Sequence, residues 1–114
     1  VTMKHALIGL VKSLARDYGP QGLRANAICP GWVRTPMADE EMEVLRKRHG
    51  LADIAADYNL ATRHVPLRRP AEPAEIAAAV AFLASSDASM VNGVALPVDG
   101  GSTVVDLPTI GFAD

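Results

Sequence analysis

Residues 24–37 read RANAICPGWVRTPM, and the rest of the chain is organised around them. Arg24 to Cys29 is a short, mostly apolar strand candidate. Pro30 and Gly31 end it, because proline lacks a backbone donor and glycine opens conformations closed to other residues. Trp32, Val33, Arg34 and Thr35 follow, and Pro36 closes the segment. Open α/β sheets hold their ligands in loops just past the C-terminal ends of strands, so residues 30–36 are a candidate site. A Pro-Gly pair alone is a common turn signal, so the flanking sequence has to carry the argument.

Upstream, residues 3–18 predict a helix. Ala6, Leu7, Leu10, Val11, Leu14, Ala15 and Tyr18 recur at spacings of three and four. Leu7, Leu10 and Leu14 read as the face laid on a sheet, while Ile8 and Val11 leave apolar surface beside it for a partner. Gly9 stands in mid-helix, either for close packing or merely tolerated. Gly19, Pro20 and Gly22 end the helix. Val1 and Thr2 lead into it with no strong cap, which is the expected look of a chain cut from a longer one.

Downstream, residues 37–64 read as a polar, broken helical excursion of the kind that forms a lid. Asp39, Glu40, Glu41 and Glu43 come first and Arg46, Lys47, Arg48 and His49 later, the order a helix dipole favours. Glu43 and Lys47 form an i,i+4 pair. Gly50 breaks the helix, and a second short one is predicted over 51–60. Met37, Met42, Leu45 and Leu51 lend the excursion apolar surface. Prolines exclude a long helix from 65–73, and Pro73 with Glu75 opens a further helix through Leu83. Asn92 and Gly93 make a turn before a last strand, chiefly Val94, Ala95, Leu96 and Val98. Asp99, Gly100 and Gly101 end that strand. The tail, 102–114, carries Val104, Val105, Leu107, Ile110 and Phe112 and is expected to dock on its own subunit or a neighbour.

The 114 residues allow one modest core. Two strands do not make a stable open sheet under this much apolar helix, so the chain is expected to be part of a larger domain. Eleven basic and 13 acidic residues give a net charge of −2, and no basic tract is present to hold a phosphate backbone. No nucleic-acid partner is therefore expected. No apolar run reaches the roughly 18 residues that span a bilayer, so no membrane association is expected either. Cys29, the single cysteine, excludes an internal disulfide and reads as a buried, reduced thiol. His5, His49 and His64 are irregularly spaced, and no metal is expected.

Several motifs, in order, make the chain resemble the C-terminal half of a classical short-chain dehydrogenase/reductase. Lys4 with HALIGLVKSLARDYGPQGLRANAICPG is similar to the family's active-site helix and following strand. Pro30, Gly31 and Thr35 match its PG loop and threonine. Pro66, Arg69, Pro73, Glu75, Ile76 and Ala77 are similar to the approach to its last helix, and Asp87, Gly93, Asp99, Gly100 and Gly101 to its final turn and strand.

The resemblance implies the C-terminal part of a doubly wound, Rossmann-type parallel sheet, a three-layer α/β/α domain in the intact protein. It implies alcohol–carbonyl interconversion with NAD or NADP on a small-molecule substrate, in a cytoplasmic homo-oligomer, with a tetramer favoured. Lys4 would be catalytic and would bind the nicotinamide ribose. Pro30, Gly31, Val33 and Thr35 would bind cofactor: Val33 at the carboxamide, Thr35 at the carboxamide or the pyrophosphate. Trp32 and Met37 would line the substrate pocket, although Trp32 could equally pack under the lid. The family's tyrosine would directly precede Val1, so the isolated chain is expected to be inactive. Arg69 is first structural, pairing with an acid such as Glu72 or Glu75. A non-catalytic subunit of the same fold and a related enoyl reductase stay open as alternatives.

Overall fold

The computed structural model describes residues 2–112. Helix α1 (Thr2–Tyr18) is followed by strand β1 (Ala27–Pro30), helices α2 (Pro36–His49), α3 (Ile54–Ala61) and α4 (Pro73–Ala84), and strand β2 (Ala95–Val98). Short 3₁₀ turns follow Tyr18 and Ser85 and recur in the tail. The two strands pair in one sheet. The Ala27 N–H donates to the Val94 carbonyl (2.8 Å) and the Gly31 N–H to the Val98 carbonyl (3.1 Å), an equal advance on both strands that makes the pairing parallel. The backbone divides into two compact units, Val1–Cys29 with Ala77–Pro97 and Pro30–Ile76 with Val98–Asp114.

In the first unit, α1 buries Ala15 and half-buries Ile8, Val11 and Leu14, while Leu7 and Leu10 stay 55% and 54% exposed. Leu14 lies inward as expected, whereas Leu7 and Leu10 exchange places with Ile8 and Val11. The cause lies at Ala15, which shares a helical line with Ile8 and Val11. Asn92 donates to the Ala15 carbonyl (3.2 Å), and a Cβ on Gly93 would lie 3.4 Å from the Ala15 side chain. That close approach turns the Ile8–Val11–Ala15 line inward. Among the described residues, a Cβ on Gly9 would meet nothing within 4 Å.

The predicted strand at 24–29 begins later, at Ala27, and takes in Pro30. Residues 24–26 are held through side chains instead of a ladder. The Arg24 guanidinium donates to the carbonyls of Leu83 (2.8 Å), Ser85 (3.1 Å) and Val91 (3.3 Å). Two of those carbonyls lie at the C-terminal end of α4, where unpaired acceptors gather and a cation is favourable. Asn26 donates to the Val91 carbonyl and accepts from the Val94 N–H, while the Asn92 side chain accepts from the Ala25 N–H. Proline is tolerable at the end of β1, where its missing donor breaks no ladder bond inside the sheet. Cys29 is free and half-buried, more open than the buried thiol expected.

In the second unit, α2 and α3 form a helical hairpin. Thr35 caps α2, accepting from the Ala38 N–H at 3.3 Å, and Pro36 occupies the first turn. Gly50, at φ 63°, ends it in the left-handed conformation that glycine adopts without strain. Asp53 caps α3, accepting from the Ala56 N–H at 2.9 Å, which is why this helix starts at Ile54 rather than 51. Ala38, Met42 and Tyr58 form a core, with Leu45, Ile54 and Ala61 packed against it. The excursion that reads as polar therefore has its own apolar seam, spaced three and four along both helices. Met42, 2% exposed, belongs to that seam. The Glu43–Lys47 pair forms at 3.1 Å, and the Lys47 ammonium holds the Glu43 carboxyl below its usual range.

The proline-rich approach to α4 is non-helical, as predicted, and is braced by Arg69. Both arms of its guanidinium donate to Glu75 at 2.7 Å, the fork-to-fork geometry that suits arginine. Glu75 also accepts from the Glu72 N–H (2.8 Å), the reach-back that secures a helix start. Arg69 first and the Glu72 N–H second pull the Glu75 carboxyl down to about 2. In the tail, Val105 and Ile110 are half-buried, whereas Val104, Leu107 and Phe112 are exposed. The docking expected of 102–114 is thus partial within this chain. Val1, Ala113 and Asp114 lie outside the described residues.

Candidate functional site

The loop after β1 is held open and extended from two sides. At Gly31 the chain passes so close to Asp99 that a Cβ would lie 3.0 Å from the Asp99 Cα and Cβ. A larger residue would push the two segments apart. Asp99 is immobilised as well: its carboxylate accepts from the Gly101 N–H, the Thr103 N–H and the Ser102 hydroxyl, each at 2.9 Å. The Gly101 N–H contributes most, and the set draws the carboxyl down to about 2.

Beyond Gly31 the loop runs as a short parallel bridge, Val33 against Ala71. The Ala71 N–H donates to the Trp32 carbonyl (2.8 Å), and the Arg34 N–H donates to the Ala71 carbonyl (2.9 Å). Amide and carbonyl directions alternate along an extended chain. With Trp32 and Arg34 facing Ala71, the N–H and C=O of Val33 face the other way. One donor and one acceptor at a fixed spacing are what a primary carboxamide can bind. Thr35 adds a third group. Its oxygen accepts the cap bond from Ala38, which leaves its hydroxyl hydrogen to donate. These backbone and hydroxyl groups fit the carboxamide end of a nicotinamide nucleotide.

Trp32 stands beside this edge, 37% exposed. It lines an open groove of about 460 Å³ with Met42, Val44, Leu45 and Ala61, with Glu41 and Arg48 also in the lining. It also lines a small cavity of about 90 Å³ with Thr62, Val65, Leu67 and the Arg69–Glu75 pair. Trp32 therefore lies against the helical hairpin and lines a groove. Met37, in the first turn of α2, is 75% exposed. The second unit thus brings together Pro30, Gly31, Trp32, Val33, Thr35 and Met37. Lys4 belongs to the first unit, exposed on α1.

Three features of this region escape a reading of spacing. Tyr58, 3% exposed, donates to Asp39 at 2.8 Å and ties α3 to the start of α2. Burial first, and the Asp39 carboxylate second, push the phenol up to about 12. The Arg34 guanidinium lies 5.8 Å from the centre of the Tyr58 ring, over its electron-rich face. Asp57 and Thr62 are wholly buried. Capping by Asp53 was the one available signal, since it would have put residues 54, 58 and 61 on one helical face. Nothing in the sequence marks Asp57 as buried. Among the described residues, no three His, Cys, Asp or Glu side chains come together in a metal-binding arrangement. No described helix is long and apolar enough to cross a membrane.

A family model described as enoyl-(acyl carrier protein) reductase matches residues 1–103. Protein MoaE of Klebsiella aerogenes is 60% identical over 113 residues, covering 99% of this chain and 44% of that protein. The ligand-free aldohexose dehydrogenase of Thermoplasma acidophilum superposes with a TM-score of 0.82 at 41% identity, over 93% of this chain and 41% of that one. YwfH, described as an NADPH-dependent reductase involved in bacilysin biosynthesis, superposes with a TM-score of 0.78 at 29% identity, over 89% and 38%. The chain spans less than half the length of each of these relatives. The fold is accordingly part of a doubly wound, Rossmann-type α/β/α parallel sheet.

Proposed function

The chain belongs to the short-chain dehydrogenase/reductase family, and from that premise we propose that the whole protein interconverts an alcohol and a ketone or aldehyde with NAD or NADP. The observation that carries this reading is the extended edge at Gly31–Thr35, with the Val33 amide and carbonyl turned away from Ala71. In this reading the chain is the C-terminal half of one dinucleotide-binding catalytic domain, with a lid at 37–64 and a tail at 102–114.

When bound, the nicotinamide nucleotide supplies the hydride acceptor or donor. Val33 holds the carboxamide through its N–H and C=O, and Thr35 donates its hydroxyl hydrogen to the carboxamide or the pyrophosphate. This grip would orient the ring toward substrate. Pro30 and Gly31 shape the wall beside the ring. Lys4 would hydrogen-bond the ribose hydroxyls, and its positive charge would favour the ionised form of the tyrosine that the family resemblance implies. That tyrosine would take the alcohol proton in oxidation and return it in reduction. Trp32 and Met37 wall the substrate side.

The test is to follow reduced nicotinamide by absorbance in full-length protein given NADH or NADPH. The substrates are a panel of small ketones and aldehydes and, separately, an enoyl thioester. Carbonyl reduction is the expected result. Reduction of the enoyl thioester alone would favour the enoyl reductase named by the matching family model. Nucleotide binding without turnover of either would indicate a binding subunit.

A cytoplasmic homo-tetramer belongs to the same reading. Leu7 and Leu10, more than half exposed on α1, are the side chains that a partner would cover. Light scattering of full-length protein is expected to give a tetramer, and Leu7→Glu with Leu10→Glu to reduce its mass. A monomer at micromolar concentration would end the tetramer reading, and an unchanged mass in a folded double variant would move the interface elsewhere.

A further inference from the structure

Among the described residues, the buried side-chain oxygens without a hydrogen-bond partner are both of Asp57's. Asp57 is 0% exposed in the first turn of α3. A carboxylate in that state demands a donor, because the loss of water is otherwise uncompensated. The helix N-terminus supplies only part of the need. The facing cation is Arg46 on α2, whose Nε lies 4.0 Å from Asp57 Oδ2, beyond hydrogen-bonding range.

The same guanidinium has its other arm 3.9 Å from Glu43 Oε1. It therefore stands between two carboxylates and bonds neither. The competition is unequal. Glu43 is half exposed and already takes the Lys47 ammonium at 3.1 Å, so water and Lys47 satisfy it without Arg46. Asp57 has neither substitute. An approach of about 1 Å between guanidinium and carboxylate would turn the Arg46–Asp57 contact into a charge-assisted hydrogen bond.

We propose that Asp57 is a positioning residue of the substrate lid, drawing Arg46 from Glu43 as α2 and α3 close and thereby setting the spacing of the two helices. That spacing governs the groove walled by Trp32, Met42, Leu45 and Ala61. The Tyr58–Asp39 bond already fixes the hairpin at the first turn of α2, so the Arg46–Asp57 contact is the adjustable one. The proposal rests on the reading of 37–64 as a lid over the substrate of a carbonyl reductase or alcohol dehydrogenase.

Two measurements on full-length protein test it. The first compares Asp57→Asn and Arg46→Gln with wild type, using whichever panel carbonyl is reduced fastest. Each variant is expected to raise KM for that carbonyl about 10-fold, the worth of one charge-assisted bond. Turnover and KM for the nucleotide should stay within about twofold, and the double variant should be no worse than the worse single one. An unchanged carbonyl KM in a folded Asp57→Asn enzyme overturns the proposal, even if its melting temperature moves. The second measurement needs no activity. Glu43→Gln frees Arg46 for Asp57 and is expected to slow hydrogen exchange of the α2 and α3 amides about 10-fold without ligand, an effect that Asp57→Asn abolishes. Equal exchange in wild type and Glu43→Gln overturns the shared guanidinium. If wild type reduces no carbonyl, the proposed function fails, and the exchange arm still decides the pair.

Discussion

Replacing Lys4 with Ala in the full-length protein is expected to cut turnover by about 10²–10³-fold while leaving the fold intact, the range for loss of a group that supports proton transfer. Lys4 is exposed on α1, and truncating such a side chain changes stability by no more than about 0.5 kcal/mol. In the proposed mechanism its ammonium would hold the ribose hydroxyls and favour a tyrosinate, both tasks for a compact charge with several donors. Lys4→Arg keeps the charge but spreads it over a planar fork, so only a minor part of the activity should return. Steady-state turnover of purified variants beside a circular dichroism melt measures this. Near-normal turnover of Lys4→Ala with a normal melt would remove Lys4 from the mechanism.

Tyr58→Ala should destabilise the α2–α3 hairpin by about 3–5 kcal/mol, the cost of emptying an aromatic site in a packed core. Tyr58 is 3% exposed, meets Ala38 and Met42, and carries the hydrogen bond to Asp39. Tyr58→Phe keeps the packing and should cost about 1 kcal/mol, because half-exposed Asp39 can turn to water. Hydrogen exchange of the full-length variants separates the two. Amides of α2 and α3 should exchange roughly 100-fold faster or more in the Ala variant and little faster in the Phe variant. Equal, small effects would mean that the hairpin draws its stability from elsewhere. A large Ala effect would show a lid that is folded before ligand arrives. It would count against a segment ordered only by binding.

What the linear sequence determined was local. Thr35 before Pro36, and Gly50 after His49, bound α2 because capping, proline and glycine act on the nearest turn of backbone. Pro73 and Glu75 open α4 for the same reason, and the Glu43–Lys47 pair follows from helical spacing alone. The order helix, strand, helical excursion, helix, strand was legible because each signal spans only a few residues. The Pro-Gly loop was readable as a candidate site because its position past a strand end is a matter of chain order.

The tertiary structure decided what depends on partners distant in the chain. Leu7 and Leu10 form as good an apolar stripe as Ile8 and Val11, and only the approach of Asn92 and Gly93 to Ala15 chose which stripe turns inward. Arg24 reads as the start of a strand, but carbonyls at the end of α4 claim it. Asp57 looks like any acid in a first helical turn, and its burial against Arg46 follows from how two helices cross. Val33 became a candidate cofactor contact with a direction only through Ala71, 38 positions later, whose backbone takes one side of the loop and leaves the other. Propensity and capping act through neighbouring residues, whereas burial and pairing depend on which distant segment arrives, and one sequence pattern is compatible with several such arrivals.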